Sequence, residues 1–159
     1  MFDLARTTDT ELIKRAVTHP KVWARLEYDF SPSAEEFDPP LDEHIWYISV
    51  FCRGEFLGIF ALIERSPVLW EIHAALLPIA WGKPSRQIFP ELLDWIWEHT
   101  TCHRLIADIP DFNRSALKYA EDVGMVRWGI NEAAYQKDNK LYNVVMVGIS
   151  RPESIQCRC

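Results

Sequence analysis

At 159 residues the chain has the length of one domain and can bury a core. Its formal net charge of −6 argues against a general nucleic-acid binder, which needs surplus lysine and arginine, and leaves a local basic patch as the alternative. No apolar run approaches the roughly 18–20 residues that cross a bilayer, and residues 1–6 lack a signal-peptide pattern. The four cysteines are not spaced as zinc ligands. We therefore expect no metal, a cytoplasmic protein, and buried free thiols at Cys52 and Cys102.

The N-terminal quarter predicts helices followed by a loop. Hydroxyl and acidic side chains at residues 8–11 are typical of a helix start, and this helix is expected to reach Thr18. A short helical segment with Trp23 and Leu26 follows. Residues 31–43 are acidic and rich in proline, which predicts a loop. This loop either attracts a cationic amine or is simply a solvated surface.

A hairpin and a central strand are predicted next. Two strand patterns flank Arg53-Gly54, so residues 45–64 are expected to form a β-hairpin. Another strand is expected at residues 69–77. Because this strand is apolar at nearly every position after Ile72, we expect it to be central and covered on both faces.

The second half of the chain predicts alternating helices and strands. The expected elements are a helix with an apolar stripe from Ile88 to His99, a strand at 104–109, a helix at 113–123 capped by Gly124, and strands at 126–135 and 141–149. The domain is expected to span residues 1–150, with a polar tail at 151–159. Repeated strand-then-helix units bring backbone N–H groups together at the strand ends, where they can hold a diphosphate.

The turn after the central strand is one candidate anion site. Trp81-Gly82-Lys83 connects that strand to a helix, and Lys83 and Arg86 add positive charge. An ordinary strand-to-helix turn is the alternative. Asn113 is a second candidate, since its side chain can cap a helix. That helix carries small residues at Ala116, Ala120 and Val123, which either approach another surface closely or pack on the sheet.

These residues resemble the signature of a known family. Asn113-Arg114-Ser115-Ala116, followed by Glu121-Asp122-Val123-Gly124-Met125, is similar to the Asn-x-x-Ala/Ser…Glu-Lys-Leu-Gly-Phe signature of the GNAT superfamily of N-acetyltransferases. Trp81-Gly82-Lys83 resembles the acetyl-CoA loop of its ribosomal-protein N-terminal acetyltransferase branch. The order of elements also matches along roughly residues 1–150.

The resemblance implies a fold and a cofactor. The fold is α/β (α+β) and GNAT-like, with a mixed, mostly antiparallel central sheet, a V-shaped splay and flanking helices. The pantetheine arm of acetyl-CoA would enter the gap between the strands at 69–77 and 104–109. The implied contacts are Leu76 and Leu77, pairing with the arm; Trp81, Gly82, Lys83, Ser85 and Arg86, in the loop that holds the pyrophosphate; Asn113, on the arm; and Arg114 or Lys118, reaching the outer phosphates.

The resemblance also implies direct acyl transfer. A base takes a proton from the amine, the amine attacks the thioester, and an acid protonates the thiolate. Glu71 and His73 are two residues apart on the central strand, so their side chains lie on one face. Either is a candidate base: histidine titrates near neutral pH, whereas a glutamate would need a raised pKa. Alternatively, both are polar residues at the sheet surface.

Three positions depart from the family pattern. Pro84 stands where the family has a second glycine, and it has no N–H to donate. Arg86 stands in place of a small residue and would either contact phosphate or fill the site. With Pro84 and Pro90, the helix is expected to begin nearer Gln87. The family's frequent tyrosine acid is replaced by Ala120; Tyr119, one position earlier, is rotated by about 100° and is expected to pack.

Two functions follow. The first is an acetyl-CoA-dependent N-acetyltransferase acting on a small-molecule or protein amine, with a homodimer as an option and no nucleic-acid or membrane partner. The alternative is a GNAT-like protein with reduced or lost catalysis, serving as a binding or assembly module in a phage virion or regulatory complex. Proteins resembling this one occur in bacteriophage genomes, so phage origin is a further expectation. The altered loop favours the module; Gly82-Lys83 and Asn113 favour the enzyme.

Overall fold

The computed structural model describes residues 1–153, so most of the predicted tail, with Cys157 and Cys159, lies outside the described residues. The elements in this part are β1 Asp3–Thr7, α1 Thr10–Val17, α2 Pro20–Leu26, β2 Ile45–Cys52, β3 Glu55–Glu64, β4 Leu69–Leu76, a 3₁₀ turn Pro78–Ala80, α3 Lys83–His99, β5 Arg104–Pro110, α4 Arg114–Asp122, β6 Val126–Lys137 and β7 Lys140–Ser150.

The strands form a single seven-stranded sheet with β4 at its centre. Their order is β1-β2-β3-β4-β5-β7-β6. Only the β4–β5 pair is parallel; the other five pairs are antiparallel. A mixed, mostly antiparallel sheet with flanking helices confirms the predicted fold class.

The pairing of β4 with β5 stops before the middle of both strands. It runs from Leu69↔Arg104 to Glu71↔Ile106, three positions in all. β4 continues to Leu76 and β5 to Pro110 without pairing with each other, while β3 stays paired with β4 as far as Gly58↔Leu76 and β7 stays paired with β5 as far as Pro110↔Val144. The predicted V-shaped splay is therefore present at the middle of the sheet.

Each face of the sheet is covered by its own pair of helices. α3 and α4 pack on one face, where Phe89 and Leu92 of α3 and Ala120 of α4 belong to the larger core with Phe60 of β3. α1 and α2 contribute Ile13, Ala16 and Val22 to a smaller core on the other face. β4 was expected to be covered on both faces throughout, and this is wrong at His73 and Ala74, which are exposed. They lie beyond the last residue paired with β5, so the splay uncovers them.

One strand near the N-terminus and the start of one helix differ from expectation. β1 was not predicted; it forms because it pairs with β2 from Asp3↔Phe51 to Thr7↔Tyr47. α3 begins at Lys83, so the expected start near Gln87 is wrong. Pro84 lies in the first helical turn, where no intrahelical partner is needed for its missing N–H.

The remaining predicted elements are confirmed, with longer C-terminal strands. The hairpin over residues 45–64 turns at Arg53-Gly54, and Gly124 has a φ of +93° after α4. β6 and β7 extend to a two-residue turn at Asp138 and Asn139, both with positive φ, as a tight hairpin requires. Within residues 1–153, no helix combines the length and apolar character needed to span a membrane.

Candidate active site

Two adjoining cavities open along the unpaired half of β4. The turn cavity, of about 400 Å³, lies where the end of β4, α2, the start of α3 and α4 meet. The loop cavity, of about 600 Å³, lies over the sheet beneath α2 and the loop at residues 27–44. Both are walled in part by Arg25, Leu26, Ala74, Asn113, Ala116 and Tyr119. Since they share these walls, they are two ends of one cleft.

The turn before α3 is held open by local contacts. Gly82 has a φ of +80°, which favours glycine, and no atom lies within 4 Å of the position a Cβ would take. The Trp81 indole Nε1 donates to the Leu76 carbonyl at 2.8 Å, and the Arg25 guanidinium lies 3.9 Å above the Trp81 ring. The Ser85 hydroxyl donates to the Gly82 carbonyl at 2.8 Å.

The start of α3 offers hydrogen-bond donors to an anion. A helix leaves the N–H groups of its cap and first three residues without intrahelical partners. Here those positions are 82–85, and Pro84 has no N–H. Gly82, Lys83 and Ser85 therefore supply the free donors at the positive end of a helix of 17 residues.

An ion-pair group joins α3 to α4 at the rim of the turn cavity. The Arg86 guanidinium donates to Asp122 Oδ2 from Nε at 2.9 Å and from Nη2 at 2.6 Å. Its Nη1 donates to the Gly82 carbonyl at 2.9 Å. Lys118 Nζ donates to the other Asp122 oxygen at 2.5 Å. The hydrogen bonds from Lys118 and then Arg86 hold the pKa of Asp122 below its usual range. Two cations against one carboxylate leave this rim positive, and Arg86 forms a wall of the cavity without closing it.

Asn113 caps α4 as predicted. Its side-chain Oδ1 accepts from the Ala116 N–H at 3.2 Å and from the Ser115 hydroxyl at 3.1 Å. The amide Nδ2 has no hydrogen-bond partner within residues 1–153, so it is a free donor in the shared wall. Ala116 and Ala120 line the loop cavity, so the small-residue stripe faces the cleft as well as the core.

Glu71 and His73 share a face of β4 and a hydrogen bond. His73 Nε2 lies 2.7 Å from Glu71 Oε1, and Arg65 Nε donates to Glu71 Oε2 at 2.7 Å. The Glu71 residue is only 7% exposed. The hydrogen bond from His73, reinforced by Arg65, lowers the pKa of Glu71 to about 2. The raised pKa that a glutamate base would need is therefore absent, and Glu71 is an ionised acceptor.

The ionised Glu71 decides which nitrogen of His73 is basic. A carboxylate can only accept, so Nε2 carries the hydrogen and Nδ1 keeps its lone pair. Nδ1 has no hydrogen-bond partner in the described part of the chain. His73 is exposed and lines the loop cavity. Glu71 thus orients the imidazole through Nε2, and Nδ1 is free to accept a hydrogen bond from a ligand.

Asp108 belongs to the same face and was missed by sequence analysis. Glu71 pairs with Ile106, so Asp108, two residues on, lies on the same side of the sheet. It lines the loop cavity and is exposed. Although the residue is exposed, its carboxyl is partly desolvated in the cavity, and this desolvation and then the charge of Glu71 raise the pKa of Asp108. The available signal was one acidic residue amid the apolar pattern of the strand beside His73.

Tyr119 has the packing role expected of it. Its hydroxyl donates to the Ser85 carbonyl at 3.1 Å, and its ring meets Phe89 edge-on, with centroids 6.0 Å apart. Burial raises the pKa of the Tyr119 hydroxyl. Ala120 lines the loop cavity where the family often has a tyrosine.

The structure brings most of the predicted cofactor residues to one place. Those lining the turn cavity are Leu76, Trp81, Gly82, Ser85, Arg86, Asn113 and Lys118. Leu77, Lys83 and Arg114 do not line either cavity. The Leu77 N–H donates to the Leu57 carbonyl at 2.9 Å, so this donor already has a partner. Lys83 and Arg114 are exposed at the first residues of α3 and α4.

The acidic loop turns its charged side chains away from the cleft. Phe37 and Pro40 line the loop cavity, but none of the loop's acidic residues does. Asp38 lies 3.7 Å from Lys14, and Glu43 lies 3.4 Å from His44. This arrangement favours the solvated-surface interpretation of the loop's charges.

Neither Cys52 nor Cys102 lines the cleft. Cys102 is a buried free thiol, as expected, and burial raises its pKa to about 11; Cys52 is a free thiol but only half-buried, so the expectation of burial is wrong there. Among the described residues, no group of three or more His, Cys, Asp or Glu is arranged to hold a metal ion.

No family model and no curated protein sequence matches the chain. Solved structures do match. A spermidine N-acetyltransferase from Vibrio cholerae, in complex with CoA and spermine, superposes with a TM-score of 0.76 at 16% identity, over 94% of this chain and 95% of that one. This chain has the GNAT fold. A probable GNAT-family acetyltransferase from Chromobacterium violaceum gives 0.74 at 13% identity, over 94% and 82%.

The GNAT fold is shared with a protein of the predicted branch as well. The ribosomal-protein-S5-alanine acetyltransferase from Vibrio fischeri superposes with a TM-score of 0.74 at 14% identity, over 96% of this chain and 94% of that one. At such identities the likeness establishes architecture, so activity must be argued from the cleft itself.

Proposed function

We propose that the protein is an acetyl-CoA-dependent N-acetyltransferase that acts on an amine. The observation that carries this proposal is the end of β4–β5 pairing at Glu71↔Ile106, followed by a cleft that reaches the start of α3. An unpaired strand edge offers N–H and C=O groups to an extended ligand. The pantetheine arm has the amides to pair with such an edge, and the structural relative from Vibrio cholerae contains CoA.

The residues at the turn suit a diphosphate. The free N–H groups of Gly82, Lys83 and Ser85 lie at the positive end of α3, and Arg86 and Lys118 add charge at the rim. The open space beside Gly82 leaves room for phosphate oxygens. Pro84 removes one donor, and the Arg86 guanidinium lies near enough to Gly82 to serve in its place.

The chemistry then needs a base beside the unpaired edge. Bound acetyl-CoA would supply a thioester, whose acetyl carbon bonds to the amine nitrogen as the C–S bond breaks and CoA leaves as its thiol. His73 Nδ1 accepts the proton that the amine loses. Glu71 keeps Nε2 protonated and stabilises the imidazolium. Because Tyr119 is hydrogen-bonded to Ser85, it is not assigned the acid role; His73 or water returns the proton to the thiolate.

Thermal unfolding in acetyl-CoA tests the binding site. Ligand that binds only the native state raises the melting temperature, and 100-fold excess over Kd corresponds to about 2.7 kcal/mol. We expect Gly82→Asp to abolish the shift by placing a carboxylate against the diphosphate. Gly54→Asp is the matched control, since Gly54 also has a φ of +80° and no atom within 4 Å of its Cβ position. No shift for the wild type at millimolar acetyl-CoA would refute the proposal.

More specific predictions about the branch, the oligomeric state, the location and the origin of the protein depend on this proposed function. The ribosomal-protein branch rests on Trp81-Gly82-Lys83, and N-terminal acetylation of a ribosomal protein by the purified chain is its test. A homodimer, a cytoplasmic location and phage origin stay predictions of the sequence. Nothing within residues 1–153 favours the binding-module alternative: Pro84 fits the first turn of α3, and Arg86 leaves the turn cavity open.

A further inference from the structure

The loop cavity has an aromatic and aliphatic wall. Trp23 and Phe37 pack with ring centroids 5.7 Å apart, and Tyr28 and Tyr135 with centroids 5.5 Å apart. Ile45, Ile59, Ala61 and Ile63 form its floor on the sheet, with Tyr47 beside them. Such a wall favours a ligand with an apolar body.

The hydroxyls of Tyr47 and Tyr135 in this wall already have partners. The Tyr47 hydroxyl donates to the Pro40 carbonyl at 3.1 Å, and the Tyr135 hydroxyl donates to the Glu27 carbonyl at 3.2 Å. Both tyrosines therefore contribute ring surface, and their donors are not free to bind a polar ligand.

The loop cavity contains one carboxylate. Apart from tyrosines, the titratable residues that line it are Arg25, His73 and Asp108. Arg25 lies over Trp81 at the turn end of the cleft. Asp108 has no ion-pair or hydrogen-bond partner among residues 1–153, and it lies on the face that carries His73. A single unpaired carboxylate suits one ammonium group, whereas a polyamine has several cationic groups to neutralise.

We propose that the acceptor is a primary monoamine carried on an apolar body of about the size of an aromatic ring. This inference rests on the proposed function and narrows its substrate. The ammonium pairs with Asp108 beside His73 Nδ1, and the body packs against Trp23, Phe37 and Tyr135. The acidic loop contributes the side chains of Phe37 and Pro40 to the binding site for the apolar body, and its carboxylates do not contact the amine.

Binding measured by calorimetry tests the proposal without requiring turnover. The ligands are 2-phenylethylamine, the uncharged 2-phenylethanol, spermidine and a short peptide that begins with alanine. We expect 2-phenylethylamine to bind about tenfold more tightly than each of the others, a difference of about 1.4 kcal/mol. Equal or tighter binding of spermidine or the peptide, or no binding of 2-phenylethylamine, overturns the proposal.

Variants locate the two parts of the site. Asp108→Asn should remove the preference for the amine over the alcohol while leaving 2-phenylethanol binding unchanged. Asp94→Asn is the matched control, because Asp94 is exposed on α3, on the opposite face of the sheet. Phe37→Ala should weaken both phenyl ligands equally. A preference that survives in Asp108→Asn also overturns the proposal.

CoA release separates this proposal from the one on which it rests. If 2-phenylethylamine binds as expected but no amine releases CoA thiol from acetyl-CoA, the transferase function fails and the ligand class stands. If spermidine or the peptide releases thiol with a higher kcat/KM than 2-phenylethylamine, the function stands and the monoamine proposal fails.

Discussion

The two halves of β4 differ in pairing far more than in composition. Residues 69–71 are paired with β3 on one side and β5 on the other, and the carboxylate of Glu71 is buried in contacts with Arg65 and His73. Residues 72–76 pair with β3 alone, and His73 and Ala74 are exposed at the centre of the sheet. Because β5 no longer pairs with β4 after Glu71, the next side chain on the same face, His73, is exposed to the cleft instead of buried.

Residues 72–76 of β4 leave backbone groups on the β5 side without partners, at a free-energy cost that a bound ligand can offset. Backbone N–H and C=O groups without partners are unfavourable when water is excluded, and an open strand edge invites pairing. In this chain α2 and the loop at residues 27–44 cover the edge and leave the cleft between. The proposed function assigns the gap between the strands to an extended molecule.

The largest expected effect is on catalysis and comes from a substitution in residues 72–76, the part of β4 that does not pair with β5. His73→Ala removes the proposed base, so we expect kcat to fall by about 10²- to 10⁴-fold. The acetyl-CoA thermal shift should be retained, because His73 does not line the turn cavity. His103→Ala is the matched control: His103 is exposed just before β5, at the paired end. Equal losses in both variants would contradict the assignment.

Gly58→Ala should disturb the one neighbour that the open half retains. A Cβ at Gly58 would lie 2.5 Å from the Ala75 carbonyl oxygen and 2.7 Å from the Leu76 Cα, both backbone atoms. Since backbone cannot rotate away, we expect a loss of about 1–3 kcal/mol in the free energy of unfolding and weaker acetyl-CoA binding. Chemical denaturation measures the first effect. Gly54→Ala, at an open position, should leave acetyl-CoA binding unchanged.

In residues 69–71 of β4, the contribution of Glu71 to the free energy of unfolding should depend on pH. The pKa of Glu71 is lowered from 4.5 to about 2 in the folded chain. A carboxyl whose pKa falls on folding stabilises the protein above its unfolded pKa, and this stability is lost as the pH drops from about 4.5 towards about 2. Glu71→Gln should therefore cost about 1–3 kcal/mol near neutrality and progressively less at acid pH. A difference from wild type that is the same at pH 7 and pH 3 would argue against an ionised Glu71.

The smallest expected effect is at the rim of the turn cavity. Asp122 neutralises part of the charge of Arg86 and Lys118. Because exposed ion pairs contribute only up to about 1 kcal/mol, Asp122→Asn should tighten acetyl-CoA binding about two- to fivefold at low salt. The gain should shrink as ionic strength rises. Weaker binding in Asp122→Asn would mean that the carboxylate positions the two cations, and Asp94→Asn serves as the control.

The fold was predictable where local signals and the family resemblance agree. The hairpin over residues 45–64 follows from two strand patterns around Arg53-Gly54, and the Asn113 cap and Gly124 follow from helix-end chemistry. β1 was missed because five residues at a sheet edge carry little pattern, and pairing with β2 decides their conformation. The start of α3 was misplaced because Pro84 disfavours helix interiors yet fits a first turn.

The site was predictable as a set of positions and less so as chemistry. The resemblance assigned the turn at Gly82 and Asn113 to one site, and in the structure both line the turn cavity; their roles there stay a prediction. The lowered pKa of Glu71 could not be read from the sequence, because it depends on hydrogen bonds from His73 and then Arg65 that form only once the strand and the turn before it are folded. Asp108 needed the register of β5 against β4 before it could be placed beside His73.

Amide hydrogen exchange resolved to single residues of β4 tests the central claim most directly. In the free protein, the amides of residues 69–71 should be protected throughout, whereas alternate amides of residues 72–76, on the side facing β5, should exchange rapidly. Acetyl-CoA should protect these amides and leave residues 69–71 unchanged. Uniform protection along β4 without ligand would show that the strands are paired throughout, and fast exchange that persists at saturating acetyl-CoA would show that nothing binds the open edge.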